Sequence, residues 1–346
     1  MTLGKLIGVI AFVVSLYILW KIRQVLLLVF AAVVLATALN QFVKRLERGK
    51  VKRGIAIALA VITVVAIFAI LLVLILPPFF NQLPQLIDQV PEGLDQLRVW
   101  FEWLYSRIPG QRLEDSRILT RLTEPLPELI NRVFGGFYTL FTKSIDIIIS
   151  LLLVLVVTIM LLANPPAYRR VFLLLFPGFY RQRADEILSH SEEALVGWVI
   201  GILFNMIVIT VFSGLGLWIL GVPLVLSNAL FAGLLTFIPN LGPTLSVIPP
   251  AALGLLEAPW KAVAVIVLYI VIQQIESNIL TPLVMKHQVS LLPAITLLSQ
   301  VACAIFFGFL GLLVALPLVV VAQVWLRELL VKDILNDWQP GAKDKQ

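Results

Sequence analysis

Charged residues are scarce in this chain. They make up 13% of its 346 residues, against about 25% in a typical soluble globular domain. Hydrophobic residues make up 60%, and the mean hydropathy is +1.01. A single soluble core cannot bury so much apolar surface, so lipid must cover much of it. The composition therefore excludes a water-soluble protein and predicts an all-α, polytopic integral membrane protein.

Residues that hold metals or carry out catalysis are also few. Cys303 is the one cysteine, which excludes an intrachain disulfide. The two histidines, His190 and His287, are far apart in sequence, and no HExxH, CxxC or GxxxxGK[ST] motif occurs. We therefore expect no enzyme activity, no metal and no cofactor.

The positive charge is concentrated in one short loop between two apolar stretches. Six basic residues and the single acid Glu47 lie within it; the basic residues are Lys44, Arg45, Arg48, Lys50, Lys52 and Arg53. Such loops stay on the cytoplasmic side of a membrane. A basic solvated linker is compatible with the same placement, and neither interpretation calls for a nucleic acid partner.

Hydropathy marks eight apolar stretches, and roughly 20 residues are enough to cross a hydrocarbon core. The stretches are Leu6–Trp20, Val25–Val43, Ile55–Leu76, Ile145–Ala163, Leu195–Leu220, Pro223–Leu256, Ala262–Ile275 and Leu291–Leu330. Counting from the basic loop predicts about eight crossings with both termini in the cytoplasm. Arginines after Asn164 support this count, and Pro77-Pro78 is expected to end the third helix.

These features divide the chain into five regions. Residues 1–76 form three N-terminal spans, and residues 77–142 form a small amphipathic helical insert outside the cell. Residues 143–194 contain the fourth span and a cytoplasmic connector. Residues 195–332 form a C-terminal transport core, and residues 333–346 form a cytoplasmic tail.

Proline and glycine interrupt the C-terminal apolar stretches. The string Phe237-Ile238-Pro239-Asn240-Leu241-Gly242-Pro243, followed by Pro249, prevents a continuous helix through the sixth stretch. Pro282 ends the seventh. The last stretch would be about 60 Å long as a straight helix, twice the hydrocarbon thickness, so it must bend or re-enter. The expected break points there are Gly308, Gly311 and Pro317.

Two groups of residues are candidates for a substrate or ion pathway. Carbonyls freed near Pro239, Asn240, Gly242 and Pro243 can coordinate a cation or a polar solute. The alternative is a simple kink that Asn240 caps. We expect Thr236 to add a secondary polar group to this site.

The second candidate is Glu276, the one carboxylate well inside the C-terminal apolar region. An intramembrane carboxylate is a functional candidate by default. The alternative is a hydrated position at the outer interface, paired with Lys286. Gln273 and Asn278 are secondary polar groups, and we expect Asn240 and Glu276 to approach one another or a common cavity.

The sequence resembles the autoinducer-2 exporter (AI-2E) family of bacterial membrane transporters. The similarity is carried by the Phe237–Pro243 string, by Glu276-Ser277-Asn278-Ile279-Leu280-Thr281-Pro282, by Leu292-Pro293, and by Phe307-Gly308-Phe309-Leu310-Gly311 with Leu316-Pro317. One departure is Ala302-Cys303-Ala304, where the resemblance leads us to expect glycine. The resemblance implies a protein of the bacterial cytoplasmic membrane, a homo-oligomer, that moves a solute outward.

The sequence is compatible with three functions. The first is export of a small polar metabolite or an autoinducer-2-like signal, driven by an ion gradient because no nucleotide-binding motif is present. The second is sodium/proton antiport, with which some relatives are associated. The third is a scaffold in which residues 77–142 are the working part. A buried carboxylate can alternate between charged and neutral forms, so Glu276 is the candidate for coupling protons. The expected partners are the lipid bilayer and a small molecule or ion.

Overall fold

The computed structural model describes residues 3–106, 144–239, 241–280, 282 and 293–330. Within these residues the secondary structure is helical and contains no strand, which confirms the all-α prediction. The helices are α1 (Leu3–Lys21), α2 (Arg23–Arg48), α3 (Arg53–Ser106), α4 (Ser144–Ala163), α5 (Pro165–Leu173), α6 (Arg181–Leu220), α7 (Val225–Leu235), α8 (Leu241–Ser246), α9 (Ile248–Glu257), α10 (Pro259–Ile275) and α11 (Pro293–Leu326). A π-turn, Glu276–Leu280, follows α10.

Five helical segments of the described chain are long and apolar enough to cross a membrane. They are Arg23–Arg48, Arg53–Pro78, Gly178–Leu220, Pro259–Leu280 and Ala294–Leu330. Helices α4 and α5 add a sixth if the bent pair counts as one span, since they meet at 93°. Phe12–Lys21 and Val225–Leu235 are shorter apolar helices. The protein is therefore a multi-pass membrane protein.

The sequence predicts that helix α3 ends at Pro77-Pro78. This prediction is wrong, because α3 continues to Ser106. Pro78 has no N–H to donate to the carbonyl of Leu74, four residues earlier. That carbonyl instead accepts a hydrogen bond from Ser227 Oγ at 3.0 Å. A side chain thus replaces the missing backbone donor, which is how membrane helices tolerate internal proline.

The chain forms two compact units. Unit 1 comprises Met1–Thr63, Asp146–Val199 and His287–Gln346, and unit 2 comprises Val64–Ile145 and Ile200–Lys286.

In unit 1, charged side chains bring several chain segments to one end. Arg53 donates to the carbonyl of Leu162 at 2.7 Å and pairs with Glu47 at 3.1 Å. The basic loop and the C-terminal end of α4 therefore lie side by side, as the predicted span count requires. Asn164 then caps α5 by accepting a hydrogen bond from the N–H of Ala167.

The same end of unit 1 holds the start of α6 and the end of α11. Arg169 of α5 pairs with Asp185 near the start of α6. Two residues before Asp185, Arg183 pairs with Glu328 at 2.8 Å. Glu328 is 5% exposed and lies just after α11. These ion pairs place the segments that the sequence assigns to the cytoplasm next to one another.

Helix α11 turns back on itself at Gly308, which has φ 66° and ψ −147°. A Cβ at Gly311 would overlap the carbonyl oxygen of Cys303, although eight residues of straight helix span about 12 Å. The chain therefore reverses at Gly308, and Gly311 is the position of close approach. The helix continues through Pro317, so the expected break at this residue is absent. A proline removes only one backbone donor from the helix, and membrane helices tolerate that loss.

In unit 2, helices α7 to α9 form a second hairpin. A Cβ at Gly242 would overlap the carbonyl oxygen of Leu235, so α8 folds back on the end of α7. At the base of this hairpin, Lys261 Nζ donates to the carbonyl of Gly221 at 3.0 Å and pairs with Glu257. Residues 222–257 therefore begin and end beside the same side chain.

We predict that Ala258, at the base of the unit 2 hairpin, faces the outside of the cell. Its cysteine variant, in a Cys303→Ala background, should react with a membrane-impermeant maleimide in intact cells. Gly49→Cys in the basic loop and Gly178→Cys before α6 should react only after permeabilisation. If Ala258→Cys instead behaves like Gly178→Cys, residues 222–257 make a full crossing.

We predict that Gly242→Ala destabilises the protein, because its methyl group must displace the backbone of Leu235. Overpacking of this kind costs about 1–3 kcal/mol. Gly54→Ala is the matched control, since it lies in α3 with no atom within 4 Å of the added carbon. Thermal unfolding in detergent should show a lower midpoint for Gly242→Ala only. Equal midpoints would contradict the close packing of α8 on α7.

Candidate functional site

The site is built on the part of α6 that belongs to unit 2, with α10 packed antiparallel along it. Lys261, near the start of α10, contacts Gly221 at the end of α6. Further along, the Leu268 side chain covers Gly216. One residue later, Tyr269 lies beside Ser213. Residue numbers rise on α10 as they fall on α6, so this register places Glu276 level with residues 205 and 206.

Helix α7 packs on a neighbouring face of α6. A Cβ added at Gly233 would overlap the side chain of Thr210 and crowd the carbonyl of Met206. A Cβ added at Gly214 would lie 3.4 Å from the Cβ of Ala229. This register is antiparallel too, so the tip of the hairpin follows just beyond Met206. The tip and Glu276 therefore lie at similar depth, about 22 Å from Gly221 along α6.

Glu276 is buried, with 8% of its surface exposed. Its Oε2 atom is buried and has no hydrogen-bond partner. The residue begins the π-turn Glu276–Leu280, and such turns occur frequently at functional sites because they redirect side chains. This burial disfavours a hydrated interfacial position, while Lys286 lies outside the described residues.

The amides near Glu276 use their donor groups locally. Gln273 Nε2 donates to Ser277 Oγ at 3.3 Å. Asn278 Nδ2 donates to the carbonyl and the side-chain oxygen of Gln274 at 3.0 and 2.9 Å. Asn278 is exposed, whereas Gln273 Oε1 is buried without a partner. Gln273 and Glu276 therefore each keep a buried acceptor oxygen without a partner.

The tip of the hairpin is closed by its own hydrogen bonds. Thr236 is fully buried and its hydroxyl donates to the carbonyl of Ala232 at 2.8 Å. The N–H of Gly242 donates to the carbonyl of Ile238 at 2.8 Å. The carbonyl of Pro243 accepts from Ser246 Oγ at 2.9 Å. Asn240 lies outside the described residues, so its approach to Glu276 stays a prediction.

The remaining residues that the sequence predicts for the pathway or for helix breaks are prolines and glycines at the following positions. Pro239 is half-buried at the hairpin tip. Pro249 is buried in the first turn of α9, where proline is well tolerated. Pro282 is exposed beyond the π-turn. Gly308, Gly311 and Pro317 belong to unit 1.

Four polar residues of unit 2 were not singled out from the sequence but are buried with an unpartnered oxygen. They are Asn205 and Ser213 on α6, Asn228 on α7 and Tyr269 on α10. The available signal was the spacing of Asn205 and Ser213, which are eight residues apart in an apolar helix and so share a face. Among the residues that the structure describes, no group of three or more His, Cys, Asp or Glu side chains is placed to hold a metal ion.

Comparisons with known proteins agree with this architecture. The model of the AI-2E family transporters matches residues 6–331. The chain is 23% identical over 297 residues to the putative transport protein YueF of Bacillus subtilis, covering 83% of this chain and 79% of YueF. It is 26% identical over 313 residues to the AI-2 transport protein TqsA of Escherichia coli, covering 86% of this chain and 84% of TqsA. Because the family model matches residues 6–331 of this helical membrane protein, the chain belongs to the AI-2E family of transporters.

Proposed function

We propose that this transporter exports a small polar solute, such as an autoinducer-2-like signal, across the bacterial cytoplasmic membrane. The gradient of an ion drives export, and Glu276 is the group that couples the two movements. The observation that carries the proposal is the buried, unpartnered carboxylate oxygen of Glu276 at the depth of the hairpin tip.

A buried carboxylate must be compensated when it is charged, because an unpaired ion in a poorly solvated site is expensive. The compensating group is a proton, a cation or a solute that donates hydrogen bonds. These groups compete for the same oxygen atoms, so binding of one displaces another. Such competition is a coupling free energy between proton and solute, which is what an exporter driven by an ion gradient requires.

The hairpin supports the choice of site. Helix ends and irregular backbone at membrane depth are tolerated where they are buried in protein or line a wet cavity. Broken helices of this kind hold substrates and coupling ions in many secondary transporters. The similarity to the AI-2 transport protein TqsA favours a signal molecule of that type as the solute.

The same features support a proposed orientation in the membrane. The basic loop and the ion-paired end of unit 1 lie in the cytoplasm, with both termini on that side. Lys261 and the base of the unit 2 hairpin then face outside.

We predict that Glu276→Gln lowers solute-dependent proton movement by about tenfold or more, because the amide keeps the shape of the side chain but cannot exchange a proton. The measurement uses purified protein in liposomes with an internal pH dye and an autoinducer-2 preparation as the solute. Glu257→Gln is the control, since Glu257 is exposed at the base of the hairpin. Its proton movement should stay at the wild-type level.

Other outcomes would overturn the proposal. Wild-type movement in Glu276→Gln removes Glu276 from the coupling step. Sodium-dependent proton release that needs no organic solute, and that Glu276→Gln abolishes, makes the protein a sodium/proton antiporter. Loss of folded Glu276→Gln protein makes the role of Glu276 structural.

A further inference from the structure

Helix α5 is set at 93° to α4, the helix that precedes it. Helix α4 has 20 residues, Ser144–Ala163, and this length crosses a hydrocarbon core without help from α5. Asn164 lies between the two helices and caps the start of α5. A helix that turns through a right angle where a span ends runs along the membrane surface. Helix α5 therefore has the position of an interfacial helix.

One face of α5 and of the turn after it is apolar and exposed. Residues three and four apart lie on the same face of a helix. Four apolar or aromatic residues follow this spacing, and we name them the apolar stripe: Tyr168, Val171, Phe172 and Leu175. Val171 is 64% exposed and Leu175 is 77% exposed. Continuous apolar surfaces of this kind mark a contact with a membrane or with another protein.

The other faces of α5 are polar. Arg169 packs on α6, where it pairs with Asp185 and donates to Ser189 Oγ at 2.6 Å. Arg170 is exposed and lies on the side of the helix away from the apolar stripe, because each residue turns the helix by about 100°. Helix α5 is thus amphipathic, with basic residues on its polar side, which is typical of helices that lie in a membrane interface.

Aromatic contacts fix the segment after α5 against the end of α11. The ring of Trp325 lies 6.5 Å from that of Phe172 and 5.9 Å from that of Phe176, measured between centroids. Tryptophan and tyrosine side chains are enriched at the level of the lipid headgroups. This group of rings supports the same placement of α5.

The basic loop lies at the same end of unit 1 as α5. Arg53 donates to the carbonyl of Leu162 at 2.7 Å, two residues before the cap of α5. Glu47, the one acid of the loop, is already paired with Arg53. The other basic residues of the loop are exposed: Lys44, Arg45, Arg48, Lys50 and Lys52. Clusters of this kind beside a membrane helix attract anionic headgroups.

We propose that the apolar stripe and the basic loop together bind anionic phospholipids. The lysine and arginine side chains of the loop contact the headgroup phosphates, and the stripe packs against the upper part of the acyl chains. Apolar burial and charge attraction add in such a surface, so neutral phospholipids bind it less well. This inference goes beyond the proposed function, because it does not depend on Glu276 or on the transported solute.

Spin labels test the position of α5 in the membrane. In a Cys303→Ala background, Val171→Cys and Arg170→Cys place labels on opposite faces of α5, in vesicles of equal parts phosphatidylglycerol and phosphatidylcholine. Oxygen concentrates in lipid, whereas a nickel chelate stays in water. We expect the ratio of oxygen to nickel collisions to be about threefold or more higher at residue 171 than at residue 170.

Two results of this measurement would overturn the proposal. Equal ratios at the two positions would mean that the apolar stripe faces water. Low collision rates with both reagents at residue 171 would mean that protein covers the stripe, either a second copy of the chain or a segment outside the described residues.

Native mass spectrometry of protein released from the same vesicles tests the choice of lipid. We expect the ratio of bound phosphatidylglycerol to bound phosphatidylcholine to exceed one in the wild type. It should fall by about threefold or more in Lys52→Gln, which removes one charge from the basic loop. Lys21→Gln is the matched control, since Lys21 is an exposed lysine before the opposite end of α2. A wild-type ratio in Lys52→Gln, or an equal fall in Lys21→Gln, would overturn the proposed lipid surface.

Discussion

Inside a membrane, a polar group finds a partner in the protein or goes without, and the described structure depends on this constraint. The carbonyl of Leu74 loses its backbone donor at Pro78 and takes the hydroxyl of Ser227 instead. The carbonyl of Leu162, near the end of α4, takes a guanidinium N–H from Arg53. Each replacement lets a helix continue or end where the backbone alone would leave an unsatisfied group. Against this background, the unpartnered oxygens of unit 2 stand out as functional candidates.

Close packing of backbone against backbone is the second feature that shapes the fold. Gly242 and Gly311 each lie against a carbonyl oxygen from an earlier turn of the chain. In both hairpins a glycine without a Cβ lets a returning segment approach a helix that has just ended. Gly242 in unit 2 and Gly311 in unit 1 thus have the same local role.

The sequence predicts the all-α membrane fold because its apolar stretches match the thickness of a bilayer. It also predicts the break at Gly308. It does not predict the passage of α3 through Pro77-Pro78, because the compensating donor, Ser227, comes from a distant segment. The sequence also cannot show that residues 222–257 begin and end at the same place, because hydropathy gives the length of an apolar stretch but not the path of the chain. The contact of Lys261 with both Gly221 and Glu257 supplies that information.

The candidate site shows the same division between local and distant information. Glu276 is recognisable as a carboxylate in an apolar stretch, and the structure adds its burial and its missing partner. Ser213 and Tyr269 look like ordinary polar residues of apolar helices until the antiparallel packing of α6 and α10 brings them together. Pairing between helices depends on contacts distant in sequence, which a single sequence does not encode in any local pattern.

Glu276 follows α10, and the level that it reaches along the neighbouring helix α6 determines where the site lies. Disulfide cross-linking of cysteine pairs measures this level most directly. In a Cys303→Ala background, oxidation should cross-link Asn205→Cys with Glu276→Cys, because the register places both residues at one level. It should leave Ser213→Cys with Glu276→Cys unlinked, because these positions lie about two helical turns apart. Cross-linking of the second pair but not of the first would contradict the register, and with it the placement of Glu276 beside the hairpin tip.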